Sequence, residues 1–380
     1  MKLSNESIRK LLQMIGSPYI NEQIMEPEES KDLFEIAHQN RVALLYLQKL
    51  QETNKLDILR PHYEKNLKRF SQLHSDVRRL LPALDGMGLS YALLKTLRYY
   101  PETPNDIDIL IFDDFEPRLG ELTVALEELG YRKYTKGNNF YNFTHVGKLG
   151  FWDYKRVGAN SKDHDPSTYF DLDIYGEIMV EELVFGDKTI LSNDVINETC
   201  TNFADLSPTT ARVLSPAADL FYIYFHSVFP TRNLGLEVLY TTLYDLLHFR
   251  EDDYERFAKL ARLSRLEKEI LYSLNLVRDL YYSVYNTRCE KLETLLGVLS
   301  RKGITKGSRC DQEITFPYMF PTSFFILAGI KSSFHKKGLQ SIFAILLKSF
   351  YPPYAANLIR EVLSKKRAKS RYALKFNSHM

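Results

Sequence analysis

Residues 105–112 read NDIDILIF, a run of isoleucine and leucine into which two aspartates are set one residue apart. Side chains of a strand point alternately to its two faces, so Asp106 and Asp108 share one face while Ile107 and Ile109 share the other. A carboxylate taken out of water without a partner is costly, and two on one side of an apolar strand also repel each other. Such a strand folds stably only if positive charge, from side chains or a metal ion, meets its acidic face. This requirement constrains the chain more than any other local pattern.

A second segment, STYFDLDIYGEI at 167–178, repeats the motif with Asp171 and Asp173. If its strand lies beside the first, Asp171 brings a third carboxylate, and three acids at one place would repel unless a divalent cation sat between them. Hard oxygen ligands of this kind suit Mg²⁺ or Mn²⁺.

Around these strands the pattern changes period. Residues 5–83 repeat apolar positions at three and four, as in EESKDLFEIAHQNRVALLYLQKL, and predict helices that end near Gly86 and Gly88. LSYALLK (Leu89 to Lys95) reads as a short strand, and LRYYPETPN as a helical turn closed by prolines. Glu116 to Tyr131 predicts an amphipathic helix with Gly130 as its stop. The aromatic-rich stretch that follows suits a hairpin turning near Lys136, Gly137 and Asn138, whose aromatics serve sheet packing or stack a base or sugar. Helical periodicity returns from Ser215 to about Tyr285.

With 380 residues, 44% hydrophobic and 26% charged, the chain is long enough for a sizeable core in two or three domains. Its three cysteines, Cys200, Cys289 and Cys310, are far apart and form no CxxC pair, which argues against zinc and a disulfide framework and for a reducing cytoplasm. The N-terminus has charge scattered through it and reads as an amphipathic helix, not a signal peptide, and no run reaches the ~18 apolar residues of a membrane span. No GxSxG, Walker A or GxGxxG motif occurs, which excludes the usual sequence marks of α/β-hydrolase, P-loop and Rossmann chemistry. His145 and His164 fall in expected loops without HxH or HExxH spacing, and His226, among aromatics in a helix, reads as a packed or capping residue.

The order of strand, small turn at Lys95-Thr96, nine-residue connection, and then DIDIL resembles the nucleotidyltransferase superfamily related to DNA polymerase β. More narrowly, LLKTLRYYPETPNDIDILIF is similar to the "uncharacterised nucleotidyltransferase" family, with its LKG-type turn, tyrosine-proline pair and DIDIL strand. FDLDIYGEI resembles that family's third-carboxylate strand, and PAADLFYIYFHS followed by LYDLLHF resembles its helical segment. The resemblance covers about residues 85–250. Three positions depart from it: Thr96 stands where glycine is usual, Glu102 near the place of a basic residue, and Asp173 where histidine is frequent.

The resemblance implies a metal-dependent transfer of NMP from an NTP, ATP among them, to a hydroxyl of RNA, protein or a small molecule. Asp106, Asp108 and Asp171 would be the catalytic acids and hold two Mg²⁺ or Mn²⁺ ions, with Lys95, Thr96 and Arg98 at the triphosphate. The fold it implies is α+β, a small mixed sheet flanked by N-terminal and C-terminal helical regions. The expected domains are a helical region at 1–84, the nucleotidyltransferase core at 85–185, a helical domain closing the cleft at 186–300, and a basic, partly amphipathic region at 301–380. Two other readings stay open: a glycosyl- or phosphoglycosyl-type transferase whose DxD holds a nucleotide-linked donor, and a catalytically degenerate binding module of the same fold. The last fifty residues carry eleven Lys and Arg against one acid, Glu361, which leaves residues 1–330 acidic. That tail reads as a helical cap with solvated lysines, as an RNA or other polyanion site, or as a membrane-surface segment.

Overall fold

The structure, a computed structural model, describes residues 5–20, 24–102, 104, 106–114, 116–133, 151–156, 170–176, 178–180, 183–186, 200–203, 210–228, 233–301 and 316–332. The basic tail with Lys336 and Lys337, His145, His164 and the turn expected at 136–138 lie outside them. The architecture is α+β. The chain forms two units, one of residues 1–70, 98–103 and 216–325, the other of residues 71–97, 104–215 and 326–380.

The first unit is helical. It contains α1 (Asn5–Ile15), α2 (Lys31–Gln39), α3 (Ala43–Glu52) and the start of α4 (Arg60–Gly86). The later part of the chain supplies helices at Pro216–Val228, Leu236–His248, Glu251–Leu263, Glu267–Tyr285 and Glu290–Arg301. Local signals set many of the ends. Ser30 caps α2 by accepting from the Leu33 amide, and three acids, Glu251, Asp252 and Asp253, open the helix at 251 where the dipole favours negative charge. The helix at 267 stops at Asn286, which is left-handed.

Many of the chain's tyrosines are spent on this core. Tyr46, Tyr224, Tyr240 and Tyr281 are fully buried, and their hydroxyls find partners as buried phenols must. Tyr240 Oη donates to the Gly16 carbonyl at 3.1 Å, and Tyr285 Oη lies 2.9 Å from that carbonyl and 3.0 Å from that of Leu12. The carbonyls at the end of α1 are thus satisfied by aromatics from helices more than 220 residues farther along the chain.

The second unit is built on a seven-stranded mixed sheet. Its strands are β1 (Tyr91–Leu94), β2 (Asp106–Ile111), β3 (Tyr131–Lys133), β4 (Phe151–Arg156), β5 (Asp171–Tyr175), β8 (Cys200–Phe203) and β9 (Ala211–Leu214), while β6 (Ile178–Val180) and β7 (Leu183–Gly186) make a separate pair. The order across the sheet is β3-β4-β5-β2-β1-β9-β8. β2 runs parallel to β5 and antiparallel to β1, while β1 is parallel to β9. β3 and β4 pair antiparallel, as a hairpin's arms do, with their connection outside the described residues.

A helix at Leu119–Glu128 follows β2 and ends with Gly130 at positive φ. The connection from Leu97 to Asn105 differs from the helical turn expected: none of its described residues is helical. Tyr100 and Thr103 each precede a proline, which disfavours helical backbone, and Arg98 and Tyr100 are both buried by side-chain partners. Among the described residues no helix is long and apolar enough to cross a membrane.

Candidate active site

Strand alternation and register together assemble the acidic face. β2 and β5 lie side by side in parallel, with Asp106 opposite Asp171 and Asp108 opposite Asp173. Along β5 the residues alternate, Leu172 and Ile174 being fully buried and Asp171, Asp173 and Tyr175 half-buried, so one face is core and the other partly open. β4 adds a further acid at the same level, because Asp153 is the register partner of Asp173. Three adjacent strands therefore carry Asp108, Asp173 and Asp153 in one row.

Asp108 is the most enclosed of these, at 0% exposure. Its Oδ1 accepts from the Tyr175 hydroxyl at 2.9 Å. Its Oδ2 lies 3.3 Å from Lys95 Nζ, near enough for an ion pair but at an angle that makes no hydrogen bond. Burial pushes the Asp108 carboxyl up to about 6 from its ordinary 3.8. The Lys95 ammonium opposes that rise, Asp106 adds to it, and the Tyr175 bond opposes it.

The turn after β1 aims both of its residues at β2. Lys95 has a φ of 38°, in the left-handed region that glycine enters freely and a lysine enters at a cost of about 1 kcal/mol. Its side chain is only 13% exposed and faces Asp108. Thr96, 1% exposed, uses its hydroxyl internally: Oγ1 donates to the Leu94 carbonyl at 2.8 Å and accepts from the Asp108 amide at 3.0 Å. The hydroxyl thus extends the ladder one step beyond the last paired residue of β1 and fixes the backbone of Asp108.

Arg98, two residues farther on, is held elsewhere. Its guanidinium pairs with Asp219 and stands 3.6 Å from Glu102, and its side chain is 3% exposed. Glu102 in turn accepts from the Tyr100 hydroxyl at 2.9 Å. Asp245 belongs to the same buried group, and burial, then Asp219, raise its carboxyl well above the usual range while Arg98 lowers it. So Asp106, Asp108, Asp171, Lys95 and Thr96 come together in the sheet unit, whereas Arg98 is committed to acids of the helical unit. One residue at the acidic face went unnoticed in the sequence, Tyr175. The alternation D-L-D-I-Y signals Tyr175, which must fall on the same face as Asp171 and Asp173.

The donor set tests well for a hard divalent cation in its chemistry: carboxylates only, one buried oxygen of Asp108 without a hydrogen bond, and acids at neighbouring register positions. Its arrangement is different. Among the described residues no three His, Cys, Asp or Glu side chains stand close enough together to hold one ion, and the cation beside Asp108 is the Lys95 ammonium.

Neither a protein-family model nor a curated protein matches the chain. Among solved structures, it is similar to the antibiotic-resistance factor ANT(2'')-Ia, at 14% identity and a TM-score of 0.26, over 60% of this chain and 92% of that one. At that TM-score the likeness assigns neither fold nor reaction, and the α+β architecture stands on the helices and strand order described above.

Proposed function

We propose that this chain is a nucleotidyltransferase that moves a nucleoside monophosphate from an NTP to a hydroxyl of an acceptor such as RNA, a protein or a small molecule. The observation that carries the reading is the register of β2 against β5, which sets the half-buried Asp106 beside Asp171 and the enclosed Asp108 beside Asp173. Asp106, Asp108 and Asp171 are the carboxylates this reading offers to Mg²⁺ or Mn²⁺, and they would have to draw closer than they stand to share an ion, whose chemistry when bound would be to neutralise triphosphate charge and lower the pKa of the acceptor hydroxyl.

The chain's own groups divide the remaining work. Lys95 supplies a positive charge that can pass from Asp108 to an incoming phosphate. Thr96 holds the Asp108 backbone in place, and Tyr175 orients its carboxylate. Arg98 anchors its own loop, and its charge is already matched by Asp219 and Glu102. In-line phosphoryl transfer asks chiefly for such positioning and charge stabilisation.

The test is transfer of label from each of the four NTPs, with Mg²⁺, to total RNA and to protein. Wild type should label an acceptor and Asp108→Ala should not; equal labelling by both would overturn the proposal. A non-catalytic binding module of the same fold is favoured by one observation, the internal bonding of the Thr96 hydroxyl, which leaves that side chain nothing to offer a phosphate. Failure of NTP with Mg²⁺ to raise the melting temperature would select it, because a ligand that binds only the native state must stabilise it.

A further inference from the structure

The first turns of α4 carry no core residue. From Arg60 to Phe70, the part of the helix that belongs to the helical unit, Tyr63, Asn66, Arg69 and Phe70 are half-buried and the rest, Lys65 and Lys68 among them, are exposed. Arg60, Lys65, Lys68 and Arg69 stand here against a single acid, Glu64. Side chains three or four positions apart meet on a helix surface, so Glu64 and Lys68 attract, while Lys65 repels both Lys68 and Arg69. A face that is merely solvated gains by alternating its charges, and this one forgoes that gain. Positive charge collects on the side toward α2 as well. The His62 ring lies 4.5 Å from that of Phe34, which stacks on His38. Burial, and then His62, Lys65 and Arg69, push His38 down to about 4.

We propose that this stretch of α4 is a landing surface for the phosphate backbone of a nucleic acid strand, with Lys65, Lys68 and Arg69 as its phosphate contacts. The three fall within little more than one turn and share a side of the helix. Their mutual repulsion in the free protein is relieved when a polyanion brings phosphates to them and gives up its own counterions. A lipid surface fits less well, because it asks for an apolar face beside the charges, and the exposed large apolar residue on α4 is Leu67. RNA and DNA offer the same phosphate chemistry. Such binding does not depend on the acidic face of the sheet unit.

The experiment is fluorescence anisotropy of the full chain with labelled single-stranded RNA and DNA of one sequence, from about 50 to 200 mM salt. Wild type is compared with a triple variant, Lys65→Ala, Lys68→Ala and Arg69→Ala. A second triple variant, Lys10→Ala, Lys49→Ala and Lys55→Ala, removes the same net charge from lysines already paired with Glu28, Glu52 and Glu26. Alanine suits a helix and relieves the repulsion, so the α4 variant should melt no lower than wild type. Each lost phosphate contact should flatten the plot of log affinity against log salt by about 0.7, or about 2 for the three. Across that range wild type should then lose roughly twentyfold more affinity than the α4 variant. The second variant should keep the wild-type slope. This pattern with either oligonucleotide supports the proposal, and comparison of the two tells RNA from DNA. Equal slopes for wild type and the α4 variant, or equal changes in the two variants, would overturn it. So would failure to bind either oligonucleotide, whether or not phosphatidylserine vesicles capture the chain.

Discussion

Replacing Thr96 by valine should loosen the backbone of Asp108 specifically. Valine fills almost the same volume as threonine but has no hydroxyl, so the change removes two hydrogen bonds and little packing. The Asp108 amide, 3.0 Å from Oγ1, would be left inside the protein without its acceptor, and the Leu94 carbonyl, 2.8 Å from Oγ1, would lose a donor. An unsatisfied buried donor costs about 1–3 kcal/mol, and the 1% exposure of Thr96 leaves no room for water to substitute. If that cost falls on local opening of the turn, the Asp108 amide should exchange its proton roughly 5- to 150-fold faster in Thr96→Val than in wild type. Hydrogen–deuterium exchange read at that amide measures it, with the Leu33 amide, capped by Ser30, as the internal control. Thr96→Ser keeps the hydroxyl and should exchange nearly as slowly as wild type. Equal exchange rates for wild type and the valine variant would refute the argument that this hydroxyl is what places Asp108.

Other perturbations follow from the same contacts. Tyr175→Phe removes the bond to Oδ1, so the Asp108 carboxyl should titrate higher than in wild type, as carboxyl chemical shifts would report, and nucleotidyl transfer should fall. Because the Asp108 carboxyl is raised from 3.8 to about 6, the native protein keeps a proton between those values that the unfolded chain has released. Wild type should therefore lose stability relative to Asp108→Asn as pH climbs from about 4 to about 6, on the order of 3 kcal/mol in all, with no further difference above that window; urea denaturation across the range checks the sign. Asp219→Asn strips Arg98 of its closest carboxylate inside the helical unit and should cost about 3 kcal/mol in denaturant unfolding.

The acidic face was legible because its cause is local. Alternation along a strand needs only the two or three residues on either side, so Asp106 with Asp108, and Asp171 with Asp173, could be placed on shared faces from spacing. The end of α4 near Gly86 and the stop at Gly130 were legible for a similar reason, since both depend on glycine and helix chemistry within one turn. The partners of those acids were not. Asp106 and Asp171 meet across 65 positions of chain, and their register depends on how two strands pair, which no window on either contains. Lys95 was read as a charge for phosphate, but its pairing with Asp108 depends on a backbone angle that residue type disfavours. The charge partners of Arg98 are the least local of all. Its nearest charge partner, Asp219, lies 121 residues away in a helix whose apolar periodicity gives no hint of an ion pair.

The two tyrosines that close the end of α1 have a consequence for how the protein is made. Tyr240 and Tyr285 reach the Gly16 carbonyl across 224 and 269 residues of chain, so neither bond can form until most of the polypeptide has left the ribosome. The first helix is synthesised early and secured late. Any fragment ending before Tyr285 leaves the α1 terminus without that clasp, and the helical unit closes only when its last segments return to its first.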